Sequence, residues 1–222
     1  MTGFAVIDTE TTGFAESDRV VEVGVVLLDP AFGREGTWDT LVDPGRDVGP
    51  THVHNIRPKD VAGAPRFADV AGDLVAHMAG RIVVGHNVSF DASMLDGEFR
   101  RLGAAGLLAA AATLDTLELA RNLRLSPDGV CTLDHLCEVL GLRRDSSHAA
   151  LADAEATAQL FILAARVLGS KIARLGQTLE ELWAPLASAA SAQAWPPWPR
   201  TGLRRSRAAV RAVSQSLGPV AN

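Results

Sequence analysis

Phe4-Ala5-Val6-Ile7-Asp8-Thr9-Glu10-Thr11-Thr12-Gly13 runs four apolar residues straight into an acid, a threonine and a second acid. An apolar run closed by Thr-Thr-Gly reads as a buried strand ending in a turn. Side chains alternate along a strand, so Asp8 and Glu10 point to the same side. Two carboxylates side by side at the end of a buried strand repel each other and are costly to desolvate. A divalent cation that favours hard oxygen ligands, Mg²⁺ or Mn²⁺, removes that cost. Two ordinary acids at a solvated strand end fit this stretch equally well, and the rest of the chain has to decide.

Downstream, Arg19 to Leu28 is rich in Val and Leu and predicts a second strand, ended by Asp29-Pro30. Trp38 to Val42 predicts a third, closed by Asp43-Pro44-Gly45. Three strands with short turns make an antiparallel meander. A loop then carries Thr51-His52-Val53-His54-Asn55-Ile56-Arg57-Pro58. Phe67, Val70, Leu74, Val75 and Met78 recur at helical spacing over 66–79, and Gly80 stops that helix. Ile82-Val83-Val84 predicts a short buried strand that opens onto His86-Asn87, with a helix following to about Leu102. Leu114-Asp115-Thr116 reads as another strand end. Helices are expected near 116–124, near 132–141 with Thr132 as N-cap, and over about 147–168. Strands first, then strands alternating with helices, define an α/β fold: a mixed sheet of three antiparallel strands followed by parallel strands, flanked by helices.

From Ser170 the chain changes character. Thr178-Leu-Glu-Glu181 has the form of a capping box for one more helix. Ala194-Trp-Pro-Pro-Trp-Pro199 reads as a linker, and the Arg-rich remainder as poorly ordered or partner-dependent. The expected organisation is therefore a domain over 1–168 and a flexible or partner-binding C-terminal region over 169–222. Five arginines and no acid lie beyond Trp195, which leaves the first 194 residues strongly acidic. An acidic body argues against tight non-specific nucleic-acid binding, which rests on cations at phosphates, but suits a metal site. Cys131 and Cys137 have neither a zinc spacing nor a disulfide framework, so a reduced, cytoplasmic compartment is the expectation. The sequence shows no signal-peptide pattern, and no uninterrupted apolar stretch reads as a membrane span.

Two further sites carry chemistry. Val84-Gly85-His86-Asn87-Val88-Ser89-Phe90-Asp91 ends a buried strand and places an acid in the first turn of the next helix, where the helix dipole alone also favours one. His148-Ala-Ala-Leu-Ala-Asp153 brings a histidine and an acid to another helix start. Five residues on one helix turn side chains about 140° apart. His148 and Asp153 therefore converge only if His148 sits in the turn before the helix.

Together, Asp8-x-Glu10-Thr-Thr-Gly, His86-Asn-x-x-Phe-Asp91 and His148-x-Ala-x-x-Asp153 resemble, in order and spacing, the three motifs of the DnaQ-like DEDDh exonucleases of the RNase H-like superfamily. The resemblance covers roughly residues 3–168. His54-Asn55-Ile56 stands where the family usually has His-Gly-Ile, and Asn tolerates the left-handed backbone a Gly would adopt. The resemblance implies an RNase H-like mixed sheet and a 3′→5′ exonuclease acting on single-stranded or frayed 3′ ends of DNA with two divalent ions, Mg²⁺ or Mn²⁺. Asp8, Glu10 and Asp153 would hold one ion, Asp8 and Asp91 the second, and His148 would take the proton from the attacking water. Thr11, Thr12, Gly13 and Asn87 would lie near the terminal nucleotide, with Ile56 as a wedge against its base and His54 beside it. RNA remains an alternative substrate, as in relatives resembling RNase T or oligoribonuclease. A non-catalytic subunit of a polymerase or repair complex is the reading from another class. A polymerase or sliding-clamp partner is expected through the C-terminal tail, and no membrane.

Overall fold

β1 (Phe4–Thr11) is apolar on both faces, and that places it at the centre of the sheet. The computed structural model describes residues 2–144 and 148–208. β1 pairs antiparallel with β2 (Val20–Leu28), which pairs antiparallel with β3 (Arg34–Leu41). On its other side β1 runs parallel to β4 (Ile82–Gly85), and β4 runs parallel to β5 (Thr113–Asp115). The strand order is β3-β2-β1-β4-β5, an RNase H-like mixed sheet of the class the sequence predicts.

Alternation sorts β1 between two cores. Ala5 and Ile7 join Val23, Val25 and Trp38 beneath α3 (Phe67–Met78) and α4 (Val88–Arg101). Phe4 and Val6 join Val26 and Leu28 beneath α7 (Ala150–Ala173) and α8 (Leu179–Ala192). Asp8 and Glu10 continue the second series, so both lie on the α7 side of the sheet. Short helices α1 (Thr51–His54) and α2 (Pro58–Val61) follow β3, and α5 (Thr116–Leu123) and α6 (Leu133–Leu140) follow β5. Asp115 and Thr132 cap α5 and α6 by accepting from Leu117 N and His135 N. The capping box of α8 forms as its spacing predicts.

Four differences from the sequence reading have physical causes. β3 begins at Arg34 rather than Trp38, because its first half is exposed and carries no apolar signal. The stretch read as a loop over 51–58 contains α1 and the start of α2. α7 runs on to Ala173 and is, by length and composition, apolar enough to cross a membrane. It is a core helix here, with Ala154, Ala158, Phe161 and Ala165 buried on the sheet. The Pro/Trp segment, expected as a flexible linker, lies against the first core through Trp195 and Trp198. The Trp198 ring stacks on Phe99 with centroids 5.3 Å apart. Aromatic area and a stacked ring hold a proline-rich segment without any helix or strand. Arg211 and the rest of the expected tail beyond residue 208 lie outside the described residues.

One position decides how closely α7 approaches the acids. Gly24 is the partner of Asp8 across β1 and β2, and a Cβ there would lie 2.4 Å from the Ala150 carbonyl carbon and Leu151 nitrogen. Any side chain would push the start of α7 off the sheet. Gly24→Ala is expected to cost about 1–3 kcal/mol as an overpacked site, visible as a lowered Tm in thermal denaturation. An unchanged Tm would mean the first turn of α7 gives way without penalty.

Candidate active site

β1 delivers Asp8 and Glu10 to the sheet face that the start of α7 covers. α7 delivers Asp153 in its first turn, 5% exposed. His148 precedes α7 and has φ +57°, a left-handed turn residue rather than a helical one. That turn meets the condition set by the spacing: Glu10, His148 and Asp153 each offer a ligand atom, all within 4.8 Å of one another. The His148 backbone N–H donates to Asp153 Oδ2 at 3.1 Å, so the same carboxylate fixes the turn that carries the imidazole.

Asp91 arrives from the other side of the strand. β4 leaves β1 after Val84, and Asp91 in the first turn of α4 takes up the donors left beside the strand end. Its Oδ1 accepts from Thr9 N at 2.9 Å and Thr9 Oγ1 at 2.7 Å. Asp91 is 3% exposed, and burial pushes its carboxyl up to about 7 although both Thr9 donors pull the other way. Glu10 is pushed up to about 8 by burial first, then by Glu22 and Asp153, with the Arg207 guanidinium opposing them. Asp8 is raised well above the usual carboxylate range by burial, Asp91, Asp153, Glu10 and Glu22. These shifts have two of the causes expected for crowded carboxyls: lost hydration and like charge.

Three side chains here escaped the sequence reading. Glu22 on β2 stands opposite Glu10 and is 1% exposed. Its Oε2 accepts from Ala150 N at 3.0 Å, tying β2 to the start of α7. Arg144 donates through Nε to Asp153 Oδ1 at 2.6 Å, and it also pairs with Asp134. Arg207 reaches Glu22 Oε2 at 3.0 Å. Glu22 is an isolated acid in a run of valines, and neither arginine lies in a local pattern that points to the site.

The expected substrate residues divide. Asn87 is exposed at the mouth of β4 with φ +66°, its side chain engaged only with Ser89 Oγ at 3.2 Å among the described residues. Thr11 and Thr12 have their hydroxyls committed within the turn, to Gly13 O at 2.7 Å and Asp18 Oδ1 at 2.8 Å. A Cβ on Gly13 would lie 2.5 Å from Asp18, which keeps that turn tight. His54 and Ile56, expected beside the terminal base, are both buried. Each is 1% exposed. His54 Nε2 bonds Val48 O at 3.1 Å and its Nδ1 accepts from Ile56 N at 3.0 Å, while burial lowers its pKa. Ile56 packs in a small core with Val21, Leu41, Val48 and Val61, where apolar burial holds it. Asn55 takes the left-handed conformation, φ +55°, that its place in the motif requires.

The fold is thus an RNase H-like mixed sheet with crowded acids and a histidine at the end of its central strand. The chain belongs to the RNase T exonuclease family: the family's model, described as Exonuclease, matches residues 5–161. The chain is 31% identical over 168 residues to the DNA polymerase III epsilon subunit of Pasteurella multocida, covering 71% of this chain and 66% of that one. It is 30% identical over 168 residues to the 3′-5′ exonuclease DinG of Staphylococcus saprophyticus, covering 72% of this chain and 18% of the relative. Escherichia coli exonuclease I in complex with a dT13 oligonucleotide superposes with a TM-score of 0.68 at 21% identity, over 79% of this chain and 43% of that one. The chain therefore spans under two thirds of each of these proteins' length, and the last likeness is one of fold.

The raised carboxyls make a signed prediction for the metal-free protein. A glutamate in the unfolded chain ionises near pH 4.3, and folded Glu10 near pH 8. Between those values the folded state binds more protons, so stability falls as pH rises from about 4.5 to 8. Thermal scans in EDTA should show a falling Tm across that window, with a shallower fall in Glu10→Gln. A Tm independent of pH there would contradict the assigned crowding.

Proposed function

We propose that this chain is a metal-dependent 3′→5′ exonuclease that releases nucleoside 5′-monophosphates from single-stranded or frayed 3′ ends of DNA. The observation that carries the reading is the meeting of Glu10, Asp153 and His148 beside Asp8, with Asp91 against the same strand. The donor set fits divalent cations. Its carboxyls are oxygen ligands; those of Asp8, Glu10 and Asp91 are raised by burial and by neighbouring acids, and positive charge relieves both. Asp8, Glu10 and Asp153 would hold one Mg²⁺ or Mn²⁺ ion, and Asp8 and Asp91 a second. When bound, such ions stabilise the charge that develops on a phosphodiester under in-line attack.

The chain's own residues supply the rest. The left-handed turn presents the His148 imidazole beside Glu10 and Asp153, where it accepts a proton from the attacking water. Asp153 holds that turn through the His148 N–H. Asn87, exposed at the end of β4, contacts the terminal nucleotide. An acid cluster at a strand end reaches the last phosphodiester only when the 3′ end is frayed, which accounts for a single-strand requirement. The names of the epsilon relatives support DNA as substrate and a polymerase as partner. RNA is the second reading, favoured by the RNase T family model. Two buried free cysteines fit a reduced, cytoplasmic setting.

The test is digestion of matched 5′-labelled DNA and RNA single strands with Mn²⁺, with Mg²⁺ and with EDTA. Metal-dependent stepwise shortening of DNA is the expected result. Preference for RNA would move the substrate, and shortening of neither strand by folded protein would sink the reading. His148→Ala should lose about 10²–10⁴-fold in rate while keeping the rise in Tm that the metal alone produces. Loss of that rise instead would make His148 a ligand and not the base.

A further inference from the structure

Arg207 lies at the end of a segment that crosses the domain from α8 to the active site. Gln193 Nε2 bonds Leu107 O at 2.8 Å, and Trp198 stacks on Phe99. The Pro199 carbonyl oxygen sits where a Cβ on Gly72 would be 2.2 Å away, so the segment lies directly on the α3 backbone. Asp73, 3% exposed, then gathers the next residues: Arg200 Nε at 3.1 Å, Thr201 N at 3.1 Å and Gly202 N at 2.8 Å. At the C-terminal end of β3, Arg205 N donates to Thr40 Oγ1 at 3.0 Å and Arg205 O accepts from Leu41 N at 2.9 Å. Arg204 pairs with Asp39 at 3.2 Å.

These contacts aim one guanidinium at three elements of the site. Arg207, its side chain 12% exposed, donates through Nη1 to His148 O at 3.0 Å and through Nη2 to His54 O at 2.8 Å. The same Nη2 lies 3.0 Å from Glu22 Oε2, the carboxylate that also caps the start of α7. His148 is thus held at both ends of its backbone, its N–H by Asp153 and its carbonyl by Arg207. A left-handed non-glycine residue needs such outside support to persist. A planar fork with several fixed donors spans three acceptors, whereas a lysine ammonium is a point charge on a flexible stem.

We propose that Arg207 is a positioning residue for catalysis, delivered by the strap of residues 193–207, and that it holds the His148 turn in its productive geometry by bridging Glu22, His54 and His148. The proposal rests on the reading of His148 as the base. It assigns the strap a part in turnover beyond anchoring the C-terminal region.

The experiment uses the full chain with Arg207→Gln, Arg207→Lys, Arg207→Gly and Asp73→Asn, each measured for Tm and for kcat and KM on a single-stranded oligodeoxynucleotide with Mn²⁺. Wild type and His148→Ala run alongside. An inactive wild type would condemn the functional reading; an active one isolates the present proposal. Arg207→Gln is expected to lower kcat by about 10- to 100-fold, the range for partners that orient a site's ligands, with KM little changed. Arg207→Lys should recover part of the loss, and millimolar guanidinium should restore part of the activity of Arg207→Gly. Asp73→Asn loosens the strap far from the chemistry and should lower kcat in the same sense. The double variant Asp73→Asn/Arg207→Gln should be no slower than Arg207→Gln alone, because both changes remove one effect. A lowered Tm with unchanged kcat would overturn the proposal and leave the strap purely structural. Faster turnover without Arg207 would also overturn it, by making the strap an obstruction.

Discussion

The end of β1 gathers Asp8, Glu10, Glu22, Asp91 and Asp153 into one small volume, and much of the surrounding structure answers their mutual repulsion. The β1–β2 register sets Glu10 directly against Glu22, so two acids meet inside the sheet. Asp91, Asp153 and Glu22 find neutral or cationic donors. Thr9 supplies two to Asp91, Arg144 and the His148 N–H serve Asp153, and the Ala150 N–H and Arg207 serve Glu22. Glu10 is served at longer range by the Arg207 charge. Among the described residues the Asp8 side chain accepts no hydrogen bond, and it is the acid that both ion assignments share. Protein groups thus satisfy the periphery of the cluster and leave Asp8 and Glu10 at its centre without a donor among the described residues.

The same crowding explains why backbone detail matters here more than side-chain bulk. Gly24 lets α7 touch the sheet beside Asp8, and Asn55, Asn87 and His148 all take left-handed conformations beside the ends of α1, α4 and α7. Non-glycine residues in that region carry strain, and strain of this kind persists where neighbours over-determine the geometry. Around His148 those neighbours are named: Asp153 on one side of the peptide and Arg207 on the other.

What could be read from the sequence was what local patterns encode. The apolar run Phe4–Ile7 gave the central strand, and alternation put Asp8 and Glu10 on one face. The spacing of His148 and Asp153 required a turn before a helix, which is where His148 lies. Residues whose role depends on distant contacts could not be read this way. Nothing in its run of valines marks Glu22; the register, which sets it under α7, gives it its role. Ile56 has the chemistry of a wedge, but burial against Val21 and Leu41 decides its place, and that depends on three-dimensional packing. The Pro/Trp segment has no periodicity at all. Its order comes from Phe99 and Asp73, roughly a hundred or more positions earlier in the chain.

The strap also gives the molecule a schedule. Domains form largely from the N-terminus onward as a chain is synthesised. Arg207 emerges 153 residues after the His54 carbonyl it clasps and 59 after the His148 carbonyl. Closing a contact over such a span costs entropy that grows only slowly with length, so the delay lies chiefly in waiting for translation to supply the residue. A nascent chain therefore has every acid of its centre, and the imidazole, before it has the guanidinium that holds their turn in place. The stretch that carries Arg207 leaves the ribosome after every acid of the cluster and after His148.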